Sequence, residues 1–369
     1  MVPPFKHYVA LADWKWYGIL AFVEVSRKAG RGCAPEAGFS PPASAALDER
    51  MIAKAYRPRI VILMGEGNIS VRIALRSLLQ AEGFSSIVDV PDVKNLRVML
   101  EERREPPDVV ILDADLEDDN PCDLVRSIRH GKLGSNPFLT IVMTTSIASN
   151  ERVRAIVESG ADGLLLKPIS PAAVMERLAG LVRQRKPFIV TSAYIGPDRR
   201  KDPGRGPSSI PLFDVPNTLR AKAEGRPAKP EELEQTIARA QKAIDEEKRR
   251  RDAFQITFLA GLIVSGTPGL NDDDANRDYL ESLIDACTDL LERISDTPFA
   301  KLAEICTELR NLAQRMVSTG RVSEPQALRM LRPMSDALMV GLNPGSTPAE
   351  LSDQVNAAIR GYRERMRAG

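Results

Sequence analysis

VVILDADLEDD, residues 109–119, buries four aliphatic side chains, Val109 to Leu112, and then stops on Asp113. An uninterrupted aliphatic run of this length reads as a strand covered on both faces, the pattern of a parallel sheet flanked by helices. A carboxylate where such a strand ends lies at the carboxyl edge of the sheet, where open α/β folds collect their chemistry.

The flanking sequence repeats the alternation. RIVILM (59–64) reads as a first strand, followed by a helix with Val71, Leu75, Leu78 and Leu79 on one side that stops at Gly83. SIVDV (86–90) is a second strand and 92–104 a second helix; LTIVMTT (139–145) and GLLL (163–166) are the fourth and fifth strands. Five strands with a helix after each predict a flavodoxin-like α/β domain, a parallel sheet in order 2-1-3-4-5, over residues 58–183. Asp113 and Thr145 then share one edge.

Residues 1–57 carry no sustained period and are rich in Gly, Pro, Ala and Ser, so a disordered tail is expected there. WYGILAFVEV (16–25) is too short for a bilayer, which takes roughly 20 residues, and no membrane anchor is expected. Residues 184–229 hold eleven Lys or Arg, counting Arg183, against four Asp or Glu and are dense in Gly and Pro, which reads as a basic linker. Within it FIVTSAYI and IPLFDVPN are apolar enough to suggest that part packs back onto a domain. From Pro230 to residue 369 the pattern is helical throughout. Leu280, Leu283, Ile284, Cys287, Leu290, Leu291 and Ile294 form one apolar stripe, and Phe299 to Met316 repeat it. SEPQ (323–326) and TPAE (347–350) have capping-box spacing, and Pro333 is expected to kink or end the helix that contains it. This is an all-α bundle, expected to mediate self-association or partner docking.

Composition removes several function classes. Lys plus Arg number 51 against 50 Asp plus Glu in 369 residues, so no overall field recruits nucleic acid or an acidic membrane. Cys33, Cys122, Cys287 and Cys306 lack paired spacing and the two histidines, His7 and His130, are far apart, which argues against a zinc site and for a reducing cytoplasm. The bundle contains no histidine and so is not a histidine phosphotransfer module. DRRK (198–201) and EEKRRRD (246–252) are the strongest basic clusters; with little aromatic interleaving, nucleic acid is not the expected partner.

RIVILMGEGNISVRIALRSLLQAEGF, PPDVVILDADL, IVMTTS and ESGADGLLLKP, in that order, resemble the successive blocks of a bacterial response-regulator receiver domain. The resemblance implies a two-component response regulator, not an enzyme in its own right, that accepts a phosphoryl group on Asp113 from a histidine kinase or phosphotransfer protein. It implies that Lys167 pairs with the phosphoryl oxygens, that Thr145 hydrogen-bonds to one of them, and that Pro168 follows the lysine through a cis peptide. Mg²⁺ is the implied cofactor, held by Glu66, Asp113 and the backbone carbonyl of Asp115. The sequence departs from the family at Gly67, where a second acidic residue is usual, so Mg²⁺ binding is expected to be weak. It departs again at Leu164, where an aromatic residue is common. Those departures fit a rival reading, a pseudo-receiver scaffold that works without phosphate.

Overall fold

The structure, a computed structural model, describes residues 52–103, 105–199, 210–265, 272–295, 297–320 and 324–368. The expected tail over 1–51 and the centre of the linker, 200–209, lie outside the described residues. The described residues divide into two compact units, one holding 52–189 with 194–242, the other holding 190–193 with 243 onward. The division therefore falls after Lys242 and not at Pro230, inside a single long helix.

In the first unit β1 (Ile62–Gly65), α1 (Ile69–Ala81), β2 (Ile87–Val90), α2 (Val93–Glu102), β3 (Val109–Asp113), α3 (Pro121–Arg129), β4 (Thr140–Thr145), α4 (Asn150–Glu158), β5 (Gly163–Leu166) and α5 (Pro171–Arg183) alternate. The five strands are parallel, in order β2-β1-β3-β4-β5. This is the flavodoxin-like arrangement. All five residues of β3 are buried, with Val110 and Leu112 in the core on one face and Val109 and Ile111 in the core on the other. That two-residue period explains why a continuous aliphatic run was needed. Each helix begins on a polar side chain that accepts from its first free amides: Asn68, Asp92, Asn120, Ser149 and Ser170.

Order extends beyond the receiver-like span at both ends. Ile52 is fully buried in one core face, and Arg57, 1% exposed, donates to the Ile52 and Glu82 carbonyls and pairs with the Glu82 carboxylate. Residues 52–57 therefore belong to the fold, not to a tail. The expected linker also contains β6 (Phe188–Val190), β7 (Ile195–Pro197) and α6 (Thr218–Ala223). Arg185 donates to the Phe138, Leu139 and Pro216 carbonyls and pairs with Asp162, which Arg129 also pairs at 2.8 Å. Both guanidinium groups lie over the Phe188 ring, 5.1 Å from its centroid. Leu219 and Ala223 complete the core beneath α5. Arg185 and Lys222, charges that read as part of a solvated tether, instead pair with buried Asp162 and Asp108.

The remaining helices are α7 (Pro230–Ser265), α8 (Asp272–Ile294), α9 (Ala300–Thr319), α10 (Pro325–Gly341) and α11 (Pro348–Ala368). In the second unit their stripes form one core that includes Leu283, Cys287, Leu290, Cys306, Leu309 and Leu331. Thr347 and Glu350 exchange the two bonds of a capping box at the start of α11. At α10 the N-cap is Glu324 with no side-chain cap, not the expected capping box, and Pro333 does not end the helix, which runs on to Gly341. The cluster 246–252 is turned to internal use: buried Lys248 holds Asp252, Asp289 and the Ser192 carbonyl, Arg251 pairs with Glu247, and Arg249 lies over the Phe299 ring. Burial raises the Asp252 carboxyl to about 6, although Lys248 and Arg293 act against it.

Candidate functional site

Parallel strands put all their carboxyl ends at one edge, and register decides which side chains meet there. Gly65 stands beside Leu112, Asp113 beside Thr144, and Thr145 beside Leu166. Glu66, Asp113, Thr145 and Lys167 thus end β1, β3, β4 and β5 or follow them by one residue. A cleft of about 430 Å³ opens at this edge, lined in part by Glu66, Asp113, Asp115, Ser146 and Lys167.

Lys167 is the hub. Its Nζ lies 2.8 Å from Asp113 Oδ2 and 2.7 Å from Glu66 Oε2. Burial opposes the ammonium charge, and hydrogen bonds to Asp113 and Glu66 outweigh it, holding Lys167 above its ordinary range. The Lys167–Pro168 bond is cis. Glu66 is fixed from behind: its Oε1 accepts the Asn68 amide at 3.0 Å, and its carbonyl accepts from Arg72 at 2.7 Å. Asp113 Oδ1 accepts the Asp115 amide at 3.1 Å. Glu66 and Asp113 are nearly buried yet open to the cleft.

The fourth residue of the set behaves differently. Thr145 is fully buried, and its hydroxyl donates to Asp115 Oδ1 at 2.7 Å while accepting the Ile147 amide at 3.1 Å. Asp115 Oδ2 accepts the Ser146 amide at 2.7 Å and its hydroxyl at 2.6 Å, and Arg152 stands 3.7 Å from Oδ1. Burial would raise the Asp115 carboxyl, but the Ser146, Thr145 and Arg152 contacts prevail and hold it below the usual carboxylate range. The sequence reading assigned Asp115 its backbone carbonyl alone and missed Ser146 and Arg152. Ser146 directly follows Thr145 in TTS, which was the available signal. Leu164 is buried within β5.

Glu66 and Asp113 bring hard carboxylate oxygens to the cleft, which Asp115 also lines, a donor type that suits Mg²⁺ in kind. In number they are few: among the described residues no three acidic, His or Cys side chains form a metal-holding group. At Gly67 a Cβ would meet Leu116 Cδ2 at 3.0 Å, so a side chain there requires Leu116 to give slightly.

Residues 62–179 match the response regulator receiver domain family. The transcriptional regulatory protein CreB of Escherichia coli (strain K12) is 32% identical over 165 residues, 44% of this chain and 67% of CreB. The phosphate regulon transcriptional regulatory protein PhoB of Rhizobium meliloti (strain 1021) is 30% identical over 135 residues, 37% of this chain and 56% of PhoB. The matches thus span between about half and two thirds of the curated relatives' length. The chemotaxis response regulator CheY4 of Vibrio cholerae aligns at 24% identity over 32% of this chain and 95% of its own, with a TM-score of 0.29. CreB and PhoB are both named as transcriptional regulators, so the expectation against nucleic acid gains no support from them. Among the described residues no helix is long and apolar enough to cross a membrane.

Proposed function

Because the chain belongs to the response regulator receiver family, we propose that Asp113 accepts a phosphoryl group from a phosphohistidine on a histidine kinase or phosphotransfer protein. The observation that carries this reading is the ion pair of Asp113 with Lys167 in the cleft, with Glu66 paired to the same ammonium. Oδ2 of Asp113 attacks phosphorus, the phosphorus–nitrogen bond breaks, and the imidazole leaves with the electron pair. Lys167 stays with the transferring oxygens, where charge builds up, and a fixed cation needs no reorganisation at that moment. Mg²⁺, when bound, supplies further neutralisation, with Glu66, Asp113 and the Asp115 carbonyl as its holders, and the missing acid at Gly67 keeps its affinity low. Transfer to Asp113 and later hydrolysis are both self-catalysed, in the cytoplasm. The helical unit is the output, a surface for self-association or for a protein partner.

The rival reading, a scaffold that works without phosphate, is favoured by one further observation: Thr145 is already bonded to Asp115. Intact-mass spectrometry after incubation with acetyl phosphate and Mg²⁺ separates the two. Phosphate on the wild type and none on Asp113→Asn supports the acceptor reading. No phosphate on the wild type, alongside a competent receiver control, leaves the scaffold.

A further inference from the structure

A phosphoryl group presents only acceptor oxygens, and each must find a donor. A hydroxyl has one hydrogen to give. In this protein the Thr145 hydrogen goes to Asp115 Oδ1 at 2.7 Å, and the oxygen lone pairs already face the Ile147 amide. Ser146, next along the chain, gives both its amide and its hydroxyl to the other oxygen of the same carboxylate. Asp115 and Ser146 line the same cleft as Asp113 and Lys167. One carboxylate therefore holds three donors at the end of β4, and its own backbone amide is tied to Asp113 at 3.1 Å.

We propose that the Asp115 side chain is an internal competitor of the phosphoryl group: it occupies the Thr145 hydroxyl, and phosphate on Asp113 gains that donor only by displacing it. The inference rests on the acceptor reading of Asp113. Asp115 is thereby a positioning residue that acts through Thr145, and it sets how strongly phosphorylation must pull before the end of β4 rearranges. The competition is exclusive because the acidic side chain and the phosphoryl oxygens need the same single hydrogen. A neutral side chain at 115 would bind it less tightly, since hydrogen bonds to charged groups are about twice as strong as neutral ones.

Binding of fluoroberyllate to Asp113 in the full chain with Mg²⁺, followed by fluorine NMR, tests this. Asp115→Ala is expected to bind the probe roughly tenfold to a hundredfold more tightly than wild type, the range one charge-assisted hydrogen bond covers. Asp115→Asn keeps size and one acceptor oxygen, so it guards against misfolding and is expected to fall between them. In a Thr145→Ala background the gain is expected to vanish, because no hydroxyl remains to be released. Equal binding by wild type and both Asp115 variants overturns the inference, as does a gain that persists without Thr145, which would show simple charge repulsion. If no variant binds the probe while a competent receiver does, the acceptor reading falls and takes this inference with it, a result distinct from wild-type binding that Asp115 leaves unchanged.

Discussion

Replacing Gly67 by aspartate restores the second acid on the metal side of the cleft, and the structure says how much that should achieve. Gly67 does not occupy the left-handed backbone region, so an aspartate is conformationally acceptable. Its Cβ would lie 3.5 Å from the Pro91 carbonyl, an ordinary contact, but 3.0 Å from Leu116 Cδ2. Cδ2 is the tip of a flexible side chain, and Leu116 must give way slightly, at most by leaving its rotamer. A new carboxylate contact to Mg²⁺ is worth about 1.5–3 kcal/mol as a charge-assisted interaction, and moving Leu116 off its rotamer costs about 0.5–1.5 kcal/mol. The net gain is about 0–2.5 kcal/mol, or at most roughly 60-fold in affinity. Gly67→Asp with Leu116→Ala removes the opposing cost and is expected to bind Mg²⁺ more tightly than Gly67→Asp alone. Isothermal titration calorimetry with magnesium chloride at fixed ionic strength, with Asp113→Asn as the blank, measures both. If the double variant binds Mg²⁺ no more tightly than wild type, Glu66 and Asp113 do not form one half of a metal site and the reasoning fails.

Three further outcomes follow from buried charge. Lys167→Met leaves Glu66 and Asp113 facing each other without their cation and is expected to cost about 3 kcal/mol in urea unfolding. The Lys167 pKa is raised in the fold, so its contribution is complete below about pH 10 and lost only as pH rises further; the gap between wild type and variant should stay constant from pH 6 to 9. Asp162→Asn strands Arg129 and Arg185 and should cost about 3–5 kcal/mol at neutral pH. Burial tends to raise the Asp162 carboxyl, but the two arginines lower it on balance, so its contribution is present above about pH 4 and the deficit should shrink on acidification in the same unfolding assay. Asp252 has the opposite sign: its carboxyl is raised from 3.8 to about 6, so stability is greatest below about pH 4 and is lost as pH climbs to about 6. Relative to Asp252→Asn, the wild type should lose on the order of 3 kcal/mol across that window, read from urea midpoints of the full chain.

The placement of Asp113, Thr145 and Lys167 at one edge was legible because a parallel sheet delivers strand ends to one edge, and strand ends are visible as the last residue of an aliphatic run. The five strands were legible for the same reason, with β5 matching GLLL residue for residue. The Asp115 carboxylate was not legible. Whether a loop acid turns its side chain inward depends on donors that arrive from β4, thirty residues away. The ordered part of the expected linker was hidden in another way: its Gly and Pro content describes local turn preference, while Arg185 and Phe188 are held by Asp162 and Arg129 from elsewhere in the fold. Pro333 shows tertiary packing overriding propensity, since Leu331 and Leu338 on either side are fully buried in the bundle core.

The pair of guanidinium groups around Phe188 bears on how this protein can be taken apart and recombined. Receiver domains invite use as interchangeable cassettes, joined to new outputs at a seam just past the last helix. Here a cut after Arg183 would discard Arg185 and Phe188, leaving Asp162 with one arginine and the ring face of Arg129 uncovered. It would also remove Lys222, whose ammonium sits 2.9 Å from buried Asp108 ahead of β3. A chimera spliced at that seam should be crippled before its signalling is ever assayed, whereas one that carries the chain through α6 brings its own keystone.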